Sequence, residues 1–293
     1  MKRLFILFML LAMPVQAVDL SFKGIYVWQD NRLNFGGFSG LEMSSDGRDF
    51  ITISDKGRIL RGRVNRKDGK IVSVDSGPLT DLLNRQGKQV TRFDTDSEGL
   101  AMDASGKLFI SFEGHHRVWR YDQFAAKATA IGSHPDFRKF QVNSGMEALA
   151  IAPDGTLYTM PERSGKLDRP FPVYRFRNGK WDQPFSIPRE GKFLTVGADF
   201  GPDGKFYLME RDYLWYAGFR SRIRRFDLTT QGFENEETLL STNYGTYDNL
   251  EGIAAWRNPE GQTCLTMISD DNLSILQLTE FVDYCVVETA RQP

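Results

Sequence analysis

Short alternations of apolar and polar residues recur along nearly the whole chain, and they come in sets of two or three. Residues 94–114, "DTDSEGLAMDASGKLFISFEG", hold an apolar run, a Ser-Gly turn and a second run rich in Phe, Leu and Ile. The unit returns as "FSGLEMSSDGRDFITISDKG" from Phe38, "GMEALAIAPDGTLYTMPERSG" from Gly145, "VGADFGPDGKFYLMERDY" from Val196 and "NLEGIAAWRNPEGQTCLTMISDDN" from Asn249. Period-two alternation over such short stretches predicts half-buried strands, and the Asp-Gly, Ser-Gly and Glu-Gly pairs predict tight turns. A third strand follows in most units: "RILRGRV", "HRVWRYD", "PVYRFR", "RIRRFDL" and "LSILQLTEF". Helical periodicity is confined to one turn at "LTDLLNRQG", so the chain is expected to be almost entirely β.

The heads of the units, Ser39, Glu98, Glu147, Val196 and Glu251, recur every 49 to 59 residues. Four-stranded units at this period predict a single β-propeller; a β-helix needs much shorter repeats. Five units are visible. The flanking strands "VDLSFKGIYVW" and "FVDYCVVET" either close the last blade or form a degenerate sixth, so five and six blades both remain open.

Composition adds the compartment. Lys2 and Arg3 precede an apolar run from Leu4 to Met13, with small residues at Val15 and Ala17. This pattern predicts a secretory signal peptide over residues 1–17, cleaved after Ala17, leaving one domain over residues 18–293. The run is too short to span a bilayer, and no later segment is apolar for long enough. An exported protein of the Gram-negative periplasm, without a membrane span and monomeric, is expected. Removing Lys2 and Arg3 leaves 35 basic against 38 acidic residues, a net charge of about −3, which argues against a nucleic-acid partner. Cys264 and Cys285 are the two cysteines. In an oxidising compartment they most simply form one disulfide, worth roughly 3 kcal/mol by loop closure; two buried free thiols are the alternative.

The first strand of each propeller blade lines the central channel, so Glu98, Glu147 and Glu251 converge there. Like charges at that range repel strongly in a poorly solvated channel. A hard cation with several oxygen ligands, Ca²⁺ first, resolves the conflict. The rival reading has each Glu capping a backbone amide or facing a water-filled channel. A second acidic set closes the second strands: Asp55, Glu113, Glu162, Glu210 and the pair Asp270 and Asp271. Cations stand beside them: Lys56 and Arg58, Arg163 and Lys166, Arg211 and Arg222.

Taken in order, "FSGLEM" with "ISDKG", "DSEGLA", "GMEALAIAPDGTLY", "PDGKFYLMERDY" with "RIRRF", and "NLEGIA" with "MISDDN" and "LTEF" resemble the phytase-like domain family, named for the esterase-like activity of phytase. The resemblance runs from Phe38 to Phe281 and implies an exported propeller associated with divalent-metal-dependent hydrolysis of phosphate esters. One unit departs from the pattern. In "TVGADFGPDG", Val196 and Gly197 stand where an acid is expected, and Asp199 is displaced by two or three places. Two places would keep the strand face and three would reverse it.

The expected ligand set is Glu98, Glu147, Glu251, Asp55 and Asp270. The metal would polarise a phosphoryl oxygen and activate water; Glu147 or Glu98 would serve as general base, and Arg211 or Arg222 would offset developing charge. Lys56, Arg58, Arg163 and Tyr213 are the expected contacts to a small phosphate-ester substrate. Tyr213, Trp215, Tyr216 and Phe219 form either an aromatic lip or blade-to-blade packing. His115 and His116, adjacent in "EGHHRVW", point to opposite faces of a regular strand and are poor joint ligands; His134 is less promising still. No GxSxG, HExxH or Gly-rich phosphate loop occurs, and no cysteine nucleophile has an adjacent Arg loop. Two other readings stand beside the phosphoesterase: a propeller lactonase or related ester hydrolase, and a non-catalytic binding propeller with a structural ion.

Overall fold

The computed structural model describes residues 16–91, 94–142 and 144–290. The expected signal peptide lies outside these residues except for Gln16 and Ala17, which open the first strand, β1 (Gln16–Val27).

Five antiparallel sheets follow one another along the chain. Blade 1 is β2 (Phe38–Met43), β3 (Asp49–Ser54), β4 (Arg58–Lys67) and β5 (Lys70–Ser76), with the short β6 (Thr80–Asp81) beside β4. Blade 2 is β7 (Ser97–Met102), β8 (Leu108–Phe112), β9 (Arg117–Tyr121) and β10 (Ala128–Ala130). Blade 3 is β11 (Met146–Ile151), β12 (Leu157–Pro161), β13 (Phe171–Arg177) and β14 (Lys180–Ile187). Blade 4 is β15 (Leu194–Phe200), β16 (Phe206–Leu214), β17 (Gly218–Leu228) and β18 (Phe233–Ser241). Blade 5 is β19 (Asn249–Arg257), β20 (Thr263–Asp270) and β21 (Glu280–Ala290), with β1 as its outer strand.

The inner strands β2, β7, β11, β15 and β19 neighbour one another in turn, and β19 returns to β2. The ring is a five-bladed propeller, all-β as expected. The N- and C-terminal strands form no sixth blade: β1 pairs with β21 along its length and closes the fifth. Cys264 and Cys285 sit opposite each other on β20 and β21 and form a disulfide.

Two local expectations are corrected. "LSILQLTEF" is not the third strand of its unit; β21 takes that place from Glu280, and residues 271–279 form a loop. "LTDLLNRQG" forms β6, an isolated bridge at Leu83 and a turn rather than helix. Elsewhere a short 3-10 turn occupies Pro135–Lys139.

Side chains between blades form the core. At the seam of blades 5 and 1, Trp28 stacks on Phe38 at 5.4 Å and meets Phe50 edge-on at 5.5 Å. Neighbouring blades share no ladder, so side-chain hydroxyls bridge them. Ser39 Oγ donates to the Ser97 carbonyl at 2.6 Å, Ser97 Oγ to Ser54 at 2.6 Å, Ser111 Oγ to Met146 at 2.6 Å and Thr195 Oγ1 to Pro161 at 2.9 Å. Gly99 is required by this closeness, because a Cβ there would lie 2.5 Å from the Glu147 carbonyl oxygen.

A recurring irregularity shapes the inner strands. In every blade the first two strands slip by one residue at the head of the unit: between Phe38 and Gly40, Ser97 and Leu100, Met146 and Ala148, Thr195 and Gly197, and Leu250 and Gly252. Each slip is a β-bulge, an extra unpaired residue that bends the strand and re-aims a side chain.

Candidate functional site

At one end of the ring the bulged heads meet the ends of the second strands. Register makes the second set explicit. Opposite the inner-strand residue that precedes each bulge stand Ser54, Phe112, Pro161, Glu210 and Ser269. The next residues are Asp55, Glu113, Glu162, Arg211 and Asp270. In blade 4 the equivalent of the acids is therefore Arg211, and the placing of Glu210 in the acidic set is corrected. Successive strand residues face opposite ways, so Glu210 turns from the channel and Arg211 into it.

The cavity of about 370 Å³ at this mouth is lined by Glu98, Glu147 and Glu251 from the heads and by Asp55, Glu162, Arg211 and Asp270 from the strand ends. Asp96, Arg163, Leu194, Tyr213, Phe219, Asn249 and Asn272 complete its wall. Below the acids, Leu41, Leu100, Leu149 and Ile253 close the channel to about 10 Å³. The mouth is thus a blind cup with an apolar floor, and its carboxylates are poorly hydrated.

The electrostatics follow. Burial, then the charges of Glu147 and Glu251, push the Glu98 carboxyl well above the ordinary range. Burial, then Glu162 and Glu251, do the same to Glu147. Glu113 rises to about 8 through burial, against the Gly145 N–H that donates to it. Asp270 rises to about 8 through burial and the neighbouring Glu251. Asp96 is also raised, by burial and by Asp55.

Arg211 is the cup's buried cation. Burial opposes its charge, yet Glu251, Glu147 and Glu162 hold it protonated. It donates to Glu251 and Asn249 and, at 3.2 Å, to Glu162. Asn249 Nδ2 donates to Glu251 at 2.9 Å. Arg163, half-exposed, donates to Glu162 at 3.1 Å and to Ser144 at 2.9 Å. Lys56 pairs with Asp55.

Not every expected residue reaches the cup. Arg222 lies opposite Glu210 on β17 and shares its face; it donates to Glu210 at 2.7 Å, beside a fully buried Arg224 bound to the same carboxylate. This arrangement builds blade 4 and leaves no guanidinium of Arg222 for a substrate in the cup. Arg58 donates to the Asn34 carbonyl and pairs with Asp81, outside the cavity wall. Asp199 stands three places beyond Val196 and matches Glu42 in its unit. Both acids staple blades: Glu42 accepts from the Met102 N–H at 3.0 Å and Asp199 from the Ala255 N–H at 2.7 Å. His115 is exposed and meets Asp94 at 3.1 Å, whereas His116 turns inward beside Gly145 and Phe140. His134 caps the 3-10 turn.

The carboxylate oxygens suit a hard cation. Among the described residues, Asp96, Glu98 and Glu113 bring one oxygen each within 4.8 Å of one another. Only Glu98 belongs to the expected ligand set. Glu147, Asp55 and Asp270 share the cup, while Glu251 is held by Arg211 and Asn249. Asp96 was hidden because it precedes the strand and breaks the repeat; its one sequence signal is the acidic run "DTDSE".

The family model described as "Phytase-like: Esterase-like activity of phytase" matches residues 33–273. No curated protein matches the chain by sequence. Similar solved structures include the PQQ-bound aldose sugar dehydrogenase of Streptomyces coelicolor, 13% identical over 94% of this chain and 100% of that one, TM-score 0.49. A gluconolactonase of Xanthomonas campestris is 14% identical over 84% and 72%, TM-score 0.45. The calcium-binding protein regucalcin of Agrobacterium tumefaciens is 10% identical over 87% and 91%, TM-score 0.47. None of these structural likenesses bears on this chain's chemistry.

Proposed function

Because this chain belongs to the phytase-like family, we propose that its acidic cup is the site of an exported, calcium-dependent phosphoesterase acting on a small phosphorylated substrate. The observation that carries this reading is the blind cup itself: buried carboxylates crowded together, their carboxyls held well above the ordinary range by burial and by one another, with Arg211 buried among them and Arg163 at the wall. Asp96, Glu98 and Glu113 would hold the cation, with Glu147 beside them. A bound Ca²⁺ supplies charge for a phosphoryl oxygen and acidifies a water.

The chain's own groups do the rest. Arg163 keeps donors exposed for a phosphate oxygen while Glu162 and Ser144 orient it. Arg211 is a positioning residue: it neutralises Glu251 and Glu162 and opposes the burial and like charges that raise the Glu147 carboxyl, the group placed to accept a proton. Tyr213 and Phe219, with ring centroids 4.7 Å apart, wall the cup on the blade 4 side. The disulfide fits the exported, periplasmic location read from residues 1–17; among the described residues no helix is long and apolar enough to cross a membrane.

The test is phosphate release from phytate and from p-nitrophenyl phosphate by the purified protein and its Glu147→Gln variant, each with Ca²⁺ or with chelator. Release that requires the metal and collapses in the variant is the expected result. No release with calcium bound would overturn the reading, as would turnover of lactones alone.

A further inference from the structure

The loops of the two propeller faces differ in kind. On the face away from the cup, the turns between first and second strands read "SSDGR", "DASGK", "PDGT", "GPDGK" and "NPEGQ". They are polar. Among the described residues, every exposed large hydrophobic side chain outside the edge strands β1 and β5 belongs to a segment at the cup face. Blade 5 contributes the loop of residues 271–279, where Ile275 is fully exposed and Leu276 is 88% exposed. Blade 4 contributes the β16–β17 hairpin tip, where Trp215 is 82% and Tyr216 69% exposed, their rings edge-on at 5.5 Å. Leu33 is 87% exposed in the loop leading to blade 1, and Val142 and Leu167 stand out before and within blade 3. The exposure of Trp215 and Tyr216 removes blade packing as their role.

These residues follow or precede cup residues closely in sequence: Trp215 after Arg211, Ile275 after Asp270, Leu167 after Glu162. They therefore rim the mouth on separate loop tips from several blades. Separate apolar tips, led by Trp and Tyr, suit a fluid layer that accepts each tip independently; those rings favour the water–hydrocarbon boundary. Charge on the face points the same way. Exposed Lys166 precedes Leu167 and exposed Asp168 and Arg169 follow it, leaving one net positive charge at that tip, and the cup behind the rim is acidic. A zwitterionic headgroup offers a phosphate to the rim cations and an ammonium to the cup.

We infer that the cup face docks reversibly on a zwitterionic phospholipid surface through this rim. The inference goes beyond the phosphoesterase reading and stands without it. Lipid docking of this kind buries exposed tips into the headgroup boundary rather than spanning the layer.

The test is flotation of the purified protein with vesicles of phosphatidylethanolamine and phosphatidylcholine, and with vesicles of phosphatidylglycerol, in chelator. Trp215→Ala/Tyr216→Ala and Ile275→Ser/Leu276→Ser should lower the vesicle-bound to free ratio by about tenfold each, with unchanged melting temperatures because the sites are exposed. The Trp215→Ala/Tyr216→Ala variant should release phosphate from p-nitrophenyl phosphate as the wild type does, because neither side chain lines the cup, so failure of the docking and failure of the phosphoesterase reading separate cleanly. Absence of flotation, binding to phosphatidylglycerol alone, or binding indifferent to the rim variants would overturn the inference. So would a dimer in light scattering that the same variants dissolve, since the rim would then belong to a second copy of the chain.

Discussion

Glu147 sits among Glu162, Glu251 and Glu113, with Arg211 as the opposing charge. Replacing it with Gln removes one repelling carboxylate from a poorly hydrated cup. Differential scanning fluorimetry in chelator should then show a melting temperature a few degrees above wild type, with a smaller rise on adding Ca²⁺, while turnover drops by about 10²-fold or more. A lower melting temperature in chelator would mean that the carboxylate is structural. Arg211 predicts the opposite sign. Arg211→Gln strands Glu251 and Glu162 without their cation and should cost about 3–5 kcal/mol in urea unfolding. Arg211→Lys should recover only part of this, because an ammonium does not reproduce the fork that reaches Glu162, Glu251 and Asn249 together. A full rescue by Lys would show that charge alone suffices.

At the scale of the element, the β-bulge at each head converts a strand position into a ligand position. Glu98 and Glu147 reach the cup because the inner strand carries one residue more than its partner there. The strand also has to lie against its neighbour. Gly99→Ala would set a methyl group against the Glu147 carbonyl and the Leu149 side chain. The expected cost is about 1–3 kcal/mol, with a weakened calcium response because Glu98 is displaced; calorimetry with and without Ca²⁺ would show both. An unchanged calcium response would detach the bulge from ion binding. The last blade depends on a different device. Cys264 and Cys285 tie β20 to the strand that β1 covers, so the Cys264→Ser/Cys285→Ser variant should lose roughly 3 kcal/mol. A loss near zero would mean that the β1–β21 ladder alone closes the ring.

Across the whole molecule, the cup couples stability to pH. Glu113 and Asp270 have folded values of about 8 against ordinary values of 4.5 and 3.8. The folded chain therefore keeps protons that the unfolded chain releases, and the metal-free protein loses stability as pH rises from about 4 to 8. Calcium competes with those protons. Its stabilising effect should grow across the same window, read as the difference in melting temperature with Ca²⁺ and with chelator at pH 5, 6.5 and 8; a flat or falling difference would remove the cup as the calcium site. Much of this architecture was legible in the chain. Repeats at a fixed period, strand alternation and Gly-containing turns determine the propeller, because local backbone preferences and burial of one face act within each unit. The repeated heads likewise brought Glu98, Glu147 and Glu251 to one place. Tertiary structure decided what depends on register and closure. A one-residue bulge made Arg211 rather than Glu210 the inward group and sent Arg222 with Glu210. Pairing of β1 with β21 settled five blades over six. Asp96 joined Glu98 and Glu113 through a loop outside the repeat, and the apolar "LSIL" run became an exposed rim because β21 already filled the sheet. Local pattern specifies which residues alternate, whereas the neighbour across the ladder specifies which way each one faces.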